Sequence, residues 1–212
     1  MELEKNKREH AARFDEIAEE YDEDKSDEYV ECVSYVIELA NPKESDVVLD
    51  LGAGTGVISL KLASRAKKVI GRDISEGMLD QARKKIEERE VSNVEFKEGS
   101  FLEPNLSQKE KREIDLVVSN FAMHHLDDKE KKKAIEKVSK LGARKFVLGD
   151  IMLFNTSEIK DPYYEPEFDD PATASYLVKS LIEAGYVITE LKKVTNQVGV
   201  IAAVKKDKIH EN

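Results

Sequence analysis

A chain of 212 residues, 40% hydrophobic and 37% charged, is long enough to bury one core without metal staples, and its single cysteine, Cys32, excludes an intramolecular disulfide framework. A formal net charge of −10 argues against a general polyanion binder, because Lys and Arg on phosphates supply most non-specific nucleic-acid affinity. No apolar run approaches the roughly 20 residues needed to cross a bilayer, and Met1-Glu2-Leu3-Glu4-Lys5 lacks a signal peptide's basic and apolar regions, so a cytoplasmic protein with no membrane partner is expected.

Within residues 9–39, Phe14, Ile17, Ala18 and Tyr21, then Tyr29, Cys32, Val33, Val36 and Ile37, recur at three- and four-residue intervals and predict two amphipathic helices. The acidic loop between them ends at Ser26 or Asp27, either of which can cap the second helix, and Asn41-Pro42 ends it. Asp46-Val47-Val48-Leu49-Asp50-Leu51 then reads as a buried strand. A helix at 57–66, a strand at 68–71, a helix at 75–90 and a strand at 94–97 continue a β-α-β-α-β alternation. A strand at 114–119, a helix at 128–141 and a strand at 145–149 extend it. A last helix at 173–184 ends at Gly185, followed by strands at 187–194 and 199–204. The turn around Asn196 is too short for a parallel crossover, so this pair is an antiparallel hairpin.

The expected fold is α/β, a Rossmann-like doubly wound, mainly parallel seven-stranded sheet with a terminal antiparallel hairpin. Residues 1–212 form a single domain, with 1–40 as a helical cap, 46–204 as the core and 205–212 as a fraying tail. The lysine-rich run at 129–133 reads as a solvated helix face.

The loop from Asp50 to Gly56, Asp50-Leu51-Gly52-Ala53-Gly54-Thr55-Gly56, puts small residues where a strand turns into a helix, letting a ligand touch bare backbone. About twenty residues on, Asp73 ends the next strand, where a carboxylate accepts both hydrogen bonds of a ribose diol. The glycine spacing differs from the G-x-G-x-x-G of dinucleotide binders. Asp50 would repel a diphosphate and favours a cationic ligand, which disfavours a dinucleotide oxidoreductase.

Residues 48–56 resemble the first signature of class I S-adenosylmethionine-dependent methyltransferases. Gly71-Arg72-Asp73-Ile74-Ser75-Glu76-Gly77-Met78-Leu79 resembles the second, and residues 114–126 the fourth-strand signature of small-molecule members. Leu181-Ile182-Glu183-Ala184-Gly185-Tyr186 resembles their late helix-to-strand turn. Within the family, the chain is most similar to small uncharacterised YrrT-like bacterial and archaeal members. The resemblance implies S-adenosylmethionine as cofactor and S-adenosylhomocysteine as product. It places Gly52 and Gly54, in the loop with Ala53 and Thr55, by the methionine part, Asp73 on the ribose, and Ile74 and Met78 near the adenine. Ser100 stands where relatives commonly carry Asp toward the adenine amino group, and Phe101 beside it stacks or fills core. Tyr21, on the leading segment that covers the cofactor in these enzymes, is assigned to the ligand.

His124 and His125, at the end of the fourth strand, are the candidates for a general base, with helix initiation or packing as the plainer role. No metal site is expected, since His10 and His210 lie near the termini and there is no spaced Cys/His cluster. Asn120 is included in the cofactor site, but Asn120-Phe121-Ala122-Met123 lacks the Asn/Asp-Pro-Pro-aromatic signature tied to methylation of base or amide nitrogens. The stretch 150–171, with Phe154, Tyr163, Tyr164 and Phe168, is the candidate substrate cap. The reading is a methyltransferase acting on a small molecule. An RNA or protein methyltransferase and a non-catalytic cofactor-binding module acting through a partner stand as alternatives, and a homo-oligomer is compatible with either.

Overall fold

Strand β1 (Val47–Leu51) is buried at all five positions, which is why it reads as a continuous apolar run rather than an alternation. Strands β2 (Lys68–Asp73), β4 (Ile114–Asn120) and β5 (Lys145–Ile151) are buried almost as completely. The computed structural model describes residues 2–155, 159 and 161–211, and the side chains of 8–155, 159 and 161–209, so His210 and part of the 150–171 stretch lie outside the described side chains. With β3 (Val94–Glu98), β6 (Tyr186–Lys193) and β7 (Val198–Lys205), the strands form one seven-stranded sheet of order β3-β2-β1-β4-β5-β7-β6. Strands β1 to β5 are mutually parallel, and β7 runs antiparallel to both β5 and β6. This is the sheet and hairpin that the sequence predicts.

Because successive strand residues face opposite ways, one run feeds two cores. Leu49, Leu51, Val117, Phe146 and Leu148 pack under α6 (Asp128–Ser139) and α7 (Ala174–Glu183), through Ile135, Val138, Leu177 and Leu181. Val48, Leu116, Val118 and Val147 pack under α2 (Asp27–Ala40), α3 (Val57–Ala63) and α4 (Glu76–Glu88), through Val36, Leu62 and Leu79. Each such fully buried side chain contributes about 1.5–3 kcal/mol of transfer free energy. Ser26 caps α2 by accepting from Tyr29 N, and Asp127 and Glu130 form a reciprocal capping box on α6. Gly185, at φ +87°, follows α7 in the left-handed conformation that ends it.

Three features depart from expectation. A short helix, α5 (Gln108–Glu113), has no buried residue and therefore no apolar period to betray it. It is held by the fully buried Arg72, which reaches Glu110 Oε1 at 3.0 Å while its Nε donates to Pro104 O at 3.1 Å. Residues 206–211 form a short 3-10 helix, where the sequence predicts no regular element. The lysine run is not uniformly solvated either. Lys131 is only 1% exposed, and its ammonium donates to the carbonyls of Leu126 and Asp170. Among the described residues no helix is long and apolar enough to cross a membrane.

Candidate active site

The strand order reverses between β1 and β4, since β1 connects outward to β2 while β4 leads the other way to β5. Loops leaving the two carboxyl ends diverge there, and a crevice is the geometric result. A cavity of about 380 Å³ occupies it. One wall is the glycine loop. Gly54, at φ +53°, is open enough that an added Cβ would meet no atom within 4 Å, whereas a Cβ on Gly52 would lie 2.2 Å from that of Ala122. At Gly52, therefore, the loops after β1 and β4 touch, and only glycine fits.

Asp73 sits at the cavity edge of β2. Its Oδ2 accepts from Gly54 N at 2.8 Å and its Oδ1 from Ser75 N at 2.9 Å, which leaves each oxygen a further lone pair. Burial pushes this carboxyl up, while the Ser75 and Gly54 amides pull it back. Ala53, Thr55, Ile74 and Met78 complete this side, and Ser100 and Phe101 close the floor. The Ser100 hydroxyl is itself engaged, accepting from Glu103 N at 3.0 Å to close a turn.

Asp50, Gly56 and His124 do not line the cavity. Asp50 is 1% exposed behind the loop and accepts from Ser59 Oγ at 2.7 Å. Burial pushes its carboxyl up to about 7, with the charge of Asp73 adding and the Ser59 hydrogen bond opposing. Gly56 caps α3 at φ +82°, where a side chain would meet the Phe96 ring. His124 is buried, its Nδ1 2.5 Å from Asp150 Oδ1.

The roof is α1 (Glu2–Ile17) and the turn that follows it. Asp15 Oδ1 accepts from Ser75 Oγ at 2.6 Å and Gly77 N at 2.8 Å. Asp22 accepts from Thr55 Oγ1 at 2.7 Å and pairs with Lys85. Tyr21 lines the cavity beside Phe14, and Tyr29 stacks on Phe121 with ring centroids 5.2 Å apart. Phe121 has φ +49°, an uncommon conformation for an aromatic residue, at the point where β4 turns into the site. Asn120 also lines the cavity and accepts from Cys32 Sγ at 3.3 Å.

Of the two adjacent histidines only His125 reaches the cavity, next to His10. Its Nδ1 is 2.8 Å from Asp169 Oδ1. Burial and the neighbouring His124 bring its pKa down to about 4, so it is the neutral imidazole at neutral pH. Asp169 is held at about 2: burial acts against this, and the hydrogen bonds from His125 and Glu165 N outweigh it. Sequence reasoning missed Asp169, Tyr29 and His10 as site residues. Asp169 stands in irregular chain with no period to mark it, and the other two fit a packing pattern that explains them without a site.

A family model described as "Methyltransferase domain" matches residues 48–143, the segment from the glycine loop through β4 and α6. An uncharacterised methyltransferase of Geobacillus sp. (strain WCH70) is 36% identical over 160 residues, covering 73% of this chain and 70% of the relative. The chain belongs to the methyltransferase family. An uncharacterised methyltransferase from Bacillus pumilus (strain SAFR-032) aligns over 94% of this chain and 99% of its own length at 29% identity. Matches to two further relatives, from Geobacillus thermodenitrificans and Oceanobacillus iheyensis, span 57% and 61% of those proteins. The fold is that of a crystallised S-adenosylmethionine-dependent methyltransferase from Aquifex aeolicus, with a TM-score of 0.70 over 89% of this chain and 97% of that one at 20% identity. The likeness is one of fold, and in both chains' shared architecture the crevice between β1 and β4 lies at the carboxyl ends of the strands.

Proposed function

We propose that this methyltransferase transfers the methyl group of S-adenosylmethionine to a small-molecule acceptor held at the end of the cavity lined by Phe14, Tyr29, Phe121 and His125. The observation that carries the reading is the cavity itself, which is small, roofed by α1, and bounded on one side by bare glycine backbone and on the other by aromatic rings. In this reading Asp73 accepts from the ribose hydroxyls, Ile74 and Met78 flank the adenine, Ser100 and Phe101 bound it, and Gly52 to Thr55 lie along the methionine part. Tyr21 closes over the ligand, and Asn120 faces it from β4. His125, rather than His124, meets the acceptor. The likeness to YrrT-like members rests on the same motifs, and a cytoplasmic setting is supported by the lone, buried Cys32.

Transfer breaks the carbon–sulfur bond of the sulfonium and forms a bond from carbon to the acceptor, releasing a neutral thioether. Holding the two in line and excluding water are the main tasks left to the protein. Incubating the enzyme with methyl-labelled cofactor and pooled metabolites, RNA or protein tests the acceptor class. Label entering the low-molecular-weight fraction is the expected result, and label confined to RNA or protein would replace the small-molecule reading by its alternative.

Asp50 gives the reading a pH signature. Its carboxyl faces Ser59 from α3, Asp73 from β2 and Tyr29 from α2, with no cation among them. A sulfonium brought to the adjacent loop favours the carboxylate, so binding below pH 7 releases a proton. Affinity for S-adenosylmethionine should fall by up to about tenfold per unit as pH drops below 7, and less for S-adenosylhomocysteine, whose sulfur carries no charge. Calorimetry in two buffers of different ionisation enthalpy reads the released proton directly, and Asp50→Asn should abolish the release. Equal pH slopes for the two ligands would show that Asp50 does not sense the sulfonium.

A further inference from the structure

Outside the cofactor contacts, the described residues contain one convergent set of metal-capable side chains, His124, His125 and Asp169, whose ligand atoms all lie within 4.8 Å of one another. We propose that these three residues bind one divalent transition-metal ion of the zinc class, with the remaining coordination position turned toward the cavity and His10. The inference does not depend on the acceptor assigned above.

The geometry is that of a held site. His124 Nε2 stands 3.9 Å from Asp169 Oδ1, and His125 Nδ1 stands 2.8 Å from the same oxygen. Ligand atoms around a tetrahedral ion at about 2.0–2.1 Å are separated by about 3.3 Å, a value that these two distances bracket. Adjacent side chains on a strand point to opposite faces, but residues 123–125 form a 3-10 turn that brings the two rings to 4.0 Å.

The surroundings fix His124 and Asp169. His124 Nδ1 is taken by Asp150, which also accepts from Met123 N at 2.9 Å, His124 N at 3.1 Å and Ile151 N at 2.8 Å. A carboxylate on one imidazole nitrogen sets the tautomer and frees the other for a metal. Asp169 Oδ2 accepts from Glu165 N at 2.8 Å, which leaves Oδ1 to the histidines. The next residue is clamped on both sides, because Asp170 N donates to His124 O and Lys131 holds Asp170 O.

A second observation comes from α1. The Nδ1 atom of His10 is buried with no hydrogen-bond partner, and its ring lies 5.3 Å from that of His125. His10 is not one of the three converging ligands, so it stands beside the site as an unsatisfied imidazole next to His125 rather than on the ion. Two imidazoles and one carboxylate without thiolate suit zinc, iron, nickel or copper rather than magnesium or calcium, which take oxygen ligands. An ion there would stand at the acceptor end of the cavity, placed to orient an acceptor oxygen or nitrogen.

The test is a titration of the full chain, dialysed against a chelator, with cobalt(II) as a visible-absorption probe. One equivalent should produce a saturable visible band that zinc(II) abolishes and magnesium(II) does not. Asp169→Asn and His125→Ala should each weaken cobalt binding more than about tenfold. Melting curves establish that the variants fold; if His125→Ala does not, Asp169→Asn decides. No band at one equivalent, displacement by magnesium(II), or a band unchanged in Asp169→Asn would overturn the site.

Discussion

Replacing Asp73 by alanine is expected to weaken S-adenosylmethionine binding by on the order of 100-fold or more. A hydrogen bond to a charged group is worth about 1.5–3 kcal/mol, and the proposed ribose contact makes two, so at least about 3 kcal/mol is at stake. The substitution also removes the acceptor of Gly54 N and Ser75 N, the two amides that shape the glycine loop and the start of α4. Because the ribose is common to cofactor and product, S-adenosylmethionine and S-adenosylhomocysteine should lose affinity by the same factor in calorimetric titration. Unchanged affinity for both would place the ribose elsewhere. A loss confined to the sulfonium would mean that Asp73 acts on the ligand's charge.

The largest effect on stability is expected at Arg144, far from the cavity. Its Nη1 and Nη2 donate to Asp46 Oδ1 and Oδ2 at 3.0 and 2.6 Å, a bidentate pair in which both residues are buried. Asp46 precedes β1, while Arg144 precedes β5 and its carbonyl accepts from Lys205 N at the end of β7, so the pair joins three strands at one end of the sheet. Burial alone would raise the Asp46 carboxyl, and the hydrogen bonds from Arg144 and Lys43 N bring it below its ordinary range. Arg144→Met leaves that carboxylate buried and unpaired, at a cost of about 3–5 kcal/mol. In a chain of this size that lowers Tm by on the order of 10 °C. Since the folded pKa of Asp46 is depressed, the pair's stability is present above the ordinary carboxylate pKa and is lost as pH falls through the folded value. Thermal melts should therefore show the gap between wild type and Arg144→Met narrowing in acid. A constant gap across that range would mean that the charge is not what Arg144 contributes.

The order of strands and helices was readable because each is coded by its neighbours. The inner strands are apolar at consecutive positions since both faces are covered, and α2, α4 and α7 carry apolar residues at helical spacing since only one face is. The glycine loop was equally legible, because Gly52 and Gly54 answer a local backbone demand at φ +71° and +53°. Helix α5 was not, since Gln108–Glu113 buries nothing and is held from outside by Arg72. Lys131 misled for the opposite reason: in composition it belongs to a solvated face, and only the return of residue 170 over the start of α6 makes it a buried donor.

By itself, then, the sequence determined the alternation, the hairpin, the glycine loop after β1 and the placing of Asp73 at the end of β2, all of which follow from periodicity and from spacings of about twenty residues or fewer. Tertiary structure alone decided which of two adjacent histidines faces the cavity, that Asp50 lies behind the loop, and that His10, His125 and Asp169 meet. The physical reason is the crossover topology. Asp46 finds Arg144 across 98 residues at the amino ends of β1 and β5, and His125 finds Asp169 across 44 at the carboxyl ends, because parallel strands bring successive connections back to the same two ends of the sheet. No local period records which side chains that return will bring together.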